Sequence, residues 1–138
     1  MSQTVVLDAC ALIALIGNES GASVVEAAIR DSQKTGTPLI MSKVNLLEVY
    51  YDSYRSYGKN VADNLVKTIK QSPIRIISSL SDDVLAEAGR LKVNYKVSLA
   101  DSIALAETSI SKGVLMTADH HEFDIIEQSE NISFHWIR

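Results

Sequence analysis

The feature that most constrains the fold of this chain is a regular alternation between short apolar runs and longer segments with helical periodicity. Five apolar runs of four to six residues are separated by one or two helix-length segments each. Short apolar strands that alternate with helices are typical of a parallel sheet covered on both faces. We therefore expect an α/β fold in which a parallel sheet of five strands lies between helices.

The predicted strands and helices follow one another without a repeat or a long linker. The strands are TVVLD, PLIM, IRII, GVLMT and ISFHWI, at residues 4–8, 38–41, 74–77, 113–117 and 132–137. The helices span about 9–17, 21–34, 43–57, 60–71, 82–93, 99–111 and 120–128. Since the length of 138 residues is near the commonest domain size, we expect residues 1–138 to form a single domain.

The composition indicates the compartment and excludes several kinds of site. A content of 46% hydrophobic and 22% charged residues is ordinary for a soluble globular protein. The single cysteine, Cys10, excludes an internal disulfide and a multi-cysteine zinc site. The first residues lack the basic stretch of a secretory signal, and the apolar runs are far shorter than the roughly 20 residues that span a bilayer. We expect a cytoplasmic protein that does not associate with a membrane.

Charge is unevenly distributed along the chain. The net charge of -4 argues against a nucleic-acid partner, but the stretch from Ser53 to Arg75 holds five basic residues against one acid. The stretch from Ser98 to the end holds seven acids against two basic residues. Such a division would give phosphates a basic rim and concentrate carboxylates elsewhere. The alternative is that both stretches form ordinary solvated surfaces.

Asp8 stands where a charge is costly. In VVLDACALIAL it is the only acidic or basic side chain of the first 18 residues, between two apolar runs. Burying an unpaired carboxylate costs several kcal/mol or more. Asp8 could cap the helix that follows it. It also lies at the carboxyl end of a strand, where open parallel sheets build their sites, and TAD at 117–119 follows the fourth strand in the same way.

Glu48 lies on the helix predicted at 43–57. Asn45, Glu48, Asp52 and Arg55 share one face of this helix at three- and four-residue spacing, which is also the pattern of a solvated stripe. A neighbouring stripe is apolar and aromatic, and we expect it to face the core; it consists of Val44, Leu47, Tyr51 and Tyr54.

Two further acids have a simple structural explanation as well as a chemical one. Ser98 and Asp101 match a capping box at the start of a helix, and Asp119 with Glu122 would form a second one. Capping and metal binding do not exclude each other. The adjacent histidines at 120 and 121 point to different faces of a helix, which disfavours a zinc site.

The four acids are more informative as a set than singly. Asp8, Glu48, Asp101 and Asp119 all lie near the predicted start of an element that follows a strand. Converging carboxylates repel one another, and a hard divalent cation relieves the repulsion by taking oxygen ligands. Mg²⁺ or Mn²⁺ held in this way activates water for an in-line displacement at phosphorus. Such chemistry needs no Ser, Cys or His nucleophile, and the chain offers no convincing triad.

These motifs resemble the PIN-domain ribonucleases, in particular the VapC-type toxins of toxin–antitoxin pairs. The resemblance spans nearly the whole chain and rests on four segments. They are VVLDACALIAL with Asp8, VNLLEVY with Glu48, LADSIALA with Asp101, and GVLMTAD with Thr117 and Asp119. It implies a three-layer α/β/α sandwich with a central parallel five-stranded sheet in which strands one and four are adjacent. It also implies an endoribonuclease that hydrolyses RNA phosphodiester bonds with Mg²⁺ or Mn²⁺.

Carried over position by position, the resemblance implies roles for individual residues. Asp8, Glu48 and Asp101 look like the core metal-binding and catalytic acids, and Asp119 looks like the fourth. Thr117 and Asn45 look like supporting groups. Relatives often carry Ser, Asn or Thr where this chain has Cys10, so one polar group near the metal is missing here. Glu122 and Asp124 follow so closely that either is an alternative to Asp119 as the fourth acid.

The resemblance also implies partners: an RNA substrate, an antitoxin on a separate chain, and a second copy in a homodimer. Within YYDSYRSYGK, Arg55 and Lys59 are candidates for contacts with RNA phosphates. Two alternatives remain. A catalytically quiet PIN-like module would bind RNA or a protein partner without cleaving RNA. A phosphatase with an aspartyl nucleophile at Asp8 would require a second acid two residues later, where Cys10 stands.

Overall fold

Residues 3–138, which the computed structural model describes, form five strands and seven helices. The strands are β1 (Val5–Leu7), β2 (Leu39–Ser42), β3 (Arg75–Ile77), β4 (Val114–Thr117) and β5 (Ser133–Trp136). The helices are α1 (Ala9–Ile16), α2 (Ala22–Thr35), α3 (Lys43–Tyr57), α4 (Lys59–Gln71), α5 (Asp82–Asn94), α6 (Leu99–Ser111) and α7 (His120–Ser129). Each element predicted from the sequence is present, and its ends agree with the prediction to within one residue.

The five strands form one parallel sheet in the order β3-β2-β1-β4-β5. The strands β2 and β3 lie on one side of β1. The chain then crosses to the other side of β1, where β4 pairs with it and β5 forms the edge. Strands one and four are therefore neighbours, as the resemblance implied, and the strand order reverses between them. Ligand sites of open parallel sheets form beyond the carboxyl ends of the strands at such a reversal.

Helices cover both faces of the sheet. Alternate residues of each strand point to opposite sides, so each strand contributes to the core on both faces. Leu7, Met41 and Met116 pack on one side in a core cluster with residues of α1 to α4. Val6, Ile40 and Leu115 pack on the other side with residues of α5, α6 and α7. The α/β/α sandwich predicted from the sequence is confirmed.

Gly113 fixes how β4 meets β1. A Cβ atom at this position would collide with the backbone carbonyl of Thr4, so a larger residue would push the two segments apart. The next residue, Val114, donates its N–H to the same carbonyl at 2.9 Å. The resulting register pairs Leu7 with Met116, and it brings the residues just beyond them, Asp8 and Thr117, to the same edge of the sheet.

Helix α3 differs from the sequence prediction in the face that it buries. Its buried side chains are Asn45, Leu46, Val49 and Ser53. The stripe that we expected in the core is exposed instead; it consists of Val44, Leu47, Tyr51 and Tyr54. A shift of one residue rotates a helix face by about 100°. The apolar stripe of α3 therefore faces outward and is not part of the core.

No helix within residues 3–138 is both long and apolar enough to cross a membrane.

Candidate active site

Asp8 and Thr117 meet at the carboxyl edge of the sheet. Asp8 directly follows β1 and is the N-cap of α1, where its Oδ1 accepts a hydrogen bond from the Ala11 N–H at 2.9 Å. Thr117 ends β4, and its hydroxyl donates to Oδ2 of Asp8. Thus the capping role considered for Asp8 is real. Each carboxylate oxygen accepts one hydrogen bond from the protein and has a second lone pair left for a further ligand.

The protein holds the Asp8 carboxyl in a buried position. Only 1% of the residue is exposed, and this burial raises its pKa to about 7. The hydrogen bonds from Thr117 and Ala11 act in the opposite direction, and the nearby charges of Asp101 and Asp119 raise the pKa further. A carboxylate among other carboxylates in a buried position favours either protonation or the binding of a cation.

Asp101 lies in the first turn of α6, which Ser98 caps by accepting the Asp101 N–H at 3.1 Å. Burial raises the pKa of the Asp101 carboxyl to about 6, against the hydrogen bond from Ser98. The charges of Asp119, Glu48 and Glu122 contribute in the same direction as burial. The helix cap expected at this position is present and uses the backbone N–H of Asp101. The Asp101 carboxyl remains close enough to the other acids to be influenced by their charges.

Glu48 and Asn45 enter the site from the buried side of α3. Glu48 is partly buried, and its pKa is raised by burial and then by the charge of Asp119. Asn45, one turn earlier, is 1% exposed, and its amide nitrogen donates to the Ser42 hydroxyl at 2.6 Å and to the Ala100 carbonyl at 3.4 Å. It therefore ties the start of α3 to the start of α6. The Asn45 Oδ1 atom is buried and accepts no hydrogen bond from the described residues.

Asp119 completes the group as the N-cap of α7. Its side chain accepts a hydrogen bond from the Glu122 N–H at 3.2 Å, and its own N–H donates to the Thr117 hydroxyl at 3.1 Å. The Thr117 hydroxyl therefore bridges Asp8 and the backbone of Asp119. This single side chain, buried in the last position of β4, holds the first and the fourth predicted acid relative to each other.

The four acids influence one another electrostatically, although their side chains do not form a complete coordination site for a metal ion. The charged neighbours that raise the pKa values of Asp8, Glu48 and Asp101 are themselves acids of this group or Glu122. Within residues 3–138, no three His, Cys, Asp or Glu side chains form a group that could hold a metal ion as it stands. The donors nevertheless fit Mg²⁺ or Mn²⁺, because these ions prefer carboxylate oxygens and Mg²⁺ usually keeps several waters.

The family model of the PIN domain matches residues 5–127, which is most of the chain and includes all four acids. The chain belongs to the PIN domain family. None of the curated proteins compared with the chain matches it.

Several solved structures are similar to this PIN domain. A toxin–antitoxin complex from Klebsiella pneumoniae is 18% identical, with a TM-score of 0.70 over 98% of both chains. VapBC2 from Rickettsia felis, bound to a promoter DNA fragment, is 14% identical, with a TM-score of 0.75 over 96% of this chain and 97% of that one. VapC20 from Mycobacterium tuberculosis, a toxin that cleaves the sarcin–ricin loop, is 15% identical, with a TM-score of 0.62 over 88% and 95%. At these identities the likeness shows the fold.

Glu122 and Asp124, the two alternatives to Asp119 as the fourth acid, lie in different environments. Glu122 is partly buried, and its charge raises the pKa of Asp101. Asp124 is exposed, and its carboxylate contacts the His120 ring at 2.8 Å. Asp119 remains our prediction for the fourth acid, with Glu122 as the alternative that faces the same group.

Cys10 does not replace the polar group that relatives often carry. Burial raises the pKa of the Cys10 thiol to about 11, and the charge of Asp8 adds to the effect. The thiol therefore stays protonated near neutral pH, and a protonated thiol is a poor ligand for a hard cation.

Arg55 and Lys59, the candidates for RNA contacts, each form a local ion pair on the surface. Arg55 contacts Asp52 at 3.2 Å and lies over the Tyr51 ring, whereas Lys59 contacts Asp63 at 2.7 Å. Exposed ion pairs of this kind contribute little, so they leave both cations free to exchange partners. A role in RNA binding stays a prediction.

A stack of aromatic rings beside Asp119 was not predicted. His120, the first residue of α7, stacks on Trp136 of β5 with ring centroids 3.8 Å apart. Trp136 in turn stacks on Phe134, at 5.3 Å. The residues come from two elements whose contact depends on tertiary structure, and the local sequence carries no signal that would have revealed the stack.

Proposed function

We propose that residues 1–138 form one PIN-like domain that acts as a divalent-metal-dependent endoribonuclease, the toxin of a type II toxin–antitoxin pair. The observation that carries the proposal is the buried Asp8 carboxyl, which faces the charges of Asp101 and Asp119. Removing one charge from water among like charges is strongly unfavourable. A bound Mg²⁺ or Mn²⁺ ion is the partner that turns this arrangement into a stable one.

Asp8, Glu48, Asp101 and Asp119 are the residues that would hold the ion, with the buried Asn45 Oδ1 as an additional oxygen. When bound, the ion supplies activation of the attacking water and neutralises the charge that develops on the phosphate oxygens. Thr117 and the Ala11 N–H fix both oxygens of Asp8 and so orient its remaining lone pairs. The protein's contribution is thus a prearranged set of oxygen atoms at the carboxyl edge of the sheet.

The same geometry disfavours a covalent mechanism at Asp8. An aspartyl phosphatase requires a second acid two residues later, and that position is the protonated thiol of Cys10. Hydrolysis by water is consistent with the residues present, and it releases a 5′-phosphate and a 3′-hydroxyl.

RNA is the substrate that we propose, with support from the PIN domain fold and from a similar structure described as a toxin that cleaves the sarcin–ricin loop. The acidic site repels phosphates in the absence of a cation, so RNA binding requires the ion as well as basic side chains that contact other phosphates of the RNA. Arg55 and Lys59, both exposed, are the candidates on α3 and α4.

The outward-facing apolar stripe of α3 supports an antitoxin partner on a separate chain. Leu47, Tyr51 and Tyr54 are 59%, 51% and 46% exposed, and contiguous exposed apolar surface marks partner sites. The stripe adjoins a groove between α3 and α4 in which Leu46 and Val66 are flanked by lysines; these are Lys43, Lys67 and Lys70. An amphipathic segment with acidic residues fits such a groove. A homodimer would cover the exposed apolar side chains of α5 and α6, which are Leu85, Val93, Leu99 and Ile110.

The test is cleavage of total cellular RNA with Mn²⁺, comparing Glu48→Gln with Asp52→Asn. Both acids lie on α3, one turn apart, but Asp52 pairs with the exposed Arg55. We expect Glu48→Gln to lower the cleavage rate roughly 100-fold or more, and Asp52→Asn to retain it. Sequencing of the products would give 5′-phosphate and 3′-hydroxyl ends, whereas a 2′,3′-cyclic phosphate would contradict hydrolysis by water. Stabilisation by Mn²⁺ without cleavage of any RNA would favour the catalytically quiet module instead.

A further inference from the structure

The stack of Phe134, Trp136 and His120 ends in an open aromatic face. One face of the His120 ring lies against Trp136, with an angle of 14° between the planes. Both ring nitrogens lie within hydrogen-bonding distance of an acceptor oxygen, and the protonated ring donates to both, yet 48% of the side chain is exposed. The exposed part therefore includes the face of the ring that points away from Trp136.

The His120 ring is held in one orientation. Its Nδ1 lies 2.8 Å from Oδ1 of Asp124, and its Nε2 lies 2.9 Å from the Arg138 carbonyl. Trp136 is fixed in the same way, because its Nε1 donates to Glu127 at 3.0 Å. An exposed side chain usually keeps its rotamer freedom, and ordering it on binding costs free energy. Here the ring is ordered before any ligand arrives.

His120 stands at the same end of the sheet as the acidic site. His120 follows Asp119 directly, so their Cα atoms are about 3.8 Å apart. Both residues stand at the start of α7, at the carboxyl edge of β4 and β5. The charges that act on the His120 ring are those of Asp124 and Glu127, so the ring lies outside the group of four acids, in the direction in which the base of a nucleotide bound by its phosphate at Asp119 would extend.

We propose that the outer face of His120 is a nucleobase subsite, on which a base next to the cleaved phosphodiester stacks and extends the row Phe134–Trp136–His120. The proposal rests on the proposed function, since the acidic site is what places the phosphate. Stacking on an aromatic ring accepts every base, so the subsite selects for unpaired nucleotides and not for sequence. A base inside a duplex is already stacked on both sides. Cleavage is thereby confined to single-stranded segments and loops.

The test compares a short single-stranded oligoadenylate with an abasic oligomer of the same backbone. Binding is measured by anisotropy in Ca²⁺, with a gel to verify that the oligomers remain intact. Wild type is expected to prefer the oligomer with bases roughly 5- to 150-fold, the range that one stacked base supplies. His120→Ala should lose this preference and His120→Phe should retain it. His121→Ala is the matched control, because this neighbouring histidine is exposed and takes no part in the stack.

Trp136 provides a second readout, since it is the only tryptophan of the chain. Its fluorescence should change when the oligoadenylate binds to wild type and should not change with the abasic oligomer. A purely structural role of the stack would lower the melting temperature of His120→Ala but leave the base preference of the folded variant intact. That result would overturn the proposal.

The two proposals fail in different ways. A wild-type protein that cleaves RNA with Mn²⁺ but does not distinguish the two oligomers would keep the nuclease and overturn the subsite. A protein that prefers the oligomer with bases, and loses this preference in His120→Ala, but never cleaves RNA would overturn the nuclease and support the subsite.

Discussion

At the scale of single residues, the Thr117 hydroxyl connects two parts of the acidic site. It donates to the Asp8 carboxylate and accepts the N–H of Asp119, and it is fully buried. A side chain in this position decides both the orientation of one acid and the start of the helix that the other acid caps. Its effect on the site is therefore larger than the energy of one hydrogen bond.

We predict that Thr117→Val, which preserves the shape of the side chain, destabilises the protein by about 1–3 kcal/mol, because Oδ2 of the buried Asp8 loses its donor. It should also reduce the stabilisation by Mn²⁺, measured as a shift of the melting temperature. Thr108→Val is the control: Thr108 is equally buried, but its hydroxyl donates to the Ala104 carbonyl of its own helix. An equal response of both variants to Mn²⁺ would contradict the role of Thr117.

At the scale of elements, α3 has one face that packs in the core and a neighbouring face that is exposed to solvent. One face buries Leu46 and Val49 in the core, and the neighbouring face leaves Leu47 and Tyr51 in solvent. The sequence could not decide between them, because both faces carry apolar residues at helical spacing and the buried face also carries the polar Asn45 and Ser53. What decides is tertiary packing, in which the buried Asn45 amide joins the start of α3 to α6.

Two adjacent leucines test this arrangement. Leu46 is 4% exposed and Leu47 is 59% exposed. We predict that Leu46→Ala lowers the free energy of unfolding by about 2–5 kcal/mol, as expected for a cavity in the core. Leu47→Ala should change it by less than about 0.5 kcal/mol, because an exposed side chain loses few contacts. Urea denaturation of both variants measures the difference, and a similar loss in both would mean that the helix is rotated from the face described.

The positions of the elements, in contrast, followed from the sequence. Short apolar runs such as VLMT and LIMS at 114–117 and 39–42 differ clearly from the amphipathic helices around them. The caps at Ser42, Ser81 and Ser98 mark helix starts with a local hydrogen bond that needs no tertiary contact. Local signals of this kind are sufficient to place the ends of a helix.

At the scale of the whole molecule, the site depends on the order of the strands. Asp8 and Thr117 are adjacent only because β4 pairs with β1 after the chain has passed through β2 and β3. The spacing of the motifs made this pairing plausible, and the resemblance implied it, but no periodicity in the sequence specifies which strands are neighbours. The same reason hid the contact of His120 with Trp136, since side-chain packing between α7 and β5 is a property of the assembled fold.

The stability of the metal-free protein should depend on pH through Asp8. Its pKa is 3.8 as an ordinary aspartate and about 7 in the fold, so between these values the folded protein holds a proton that the unfolded chain has released. Stability therefore falls as the pH rises from about 4 to about 7, by about 4 kcal/mol in total, and is level above this range. Asp101, with a pKa of about 6, adds a smaller fall in the lower part of the range.

Denaturation with urea in EDTA at several pH values measures this slope. Asp8→Asn should reduce the slope to the share of Asp101 and should be more stable than wild type at pH 8. Because a cation binds the deprotonated carboxylate, Mn²⁺ should stabilise wild type more at pH 8 than at pH 5 and should not stabilise Asp8→Asn. Parallel slopes of wild type and variant would show that Asp8 is not the titrating group.

The bond between Thr117 and Asp8 joins residues that are 109 positions apart. During synthesis, Asp8 leaves the ribosome long before its partner in β4 and the acid at 119. A nascent chain that stops before residue 117 can contain Asp8, Glu48 and Asp101, but it lacks the hydroxyl that orients Asp8 and the fourth acid that completes the group. Any activity that requires the full set is therefore withheld from the growing chain until residues 117–119 have been made and β4 has paired with β1.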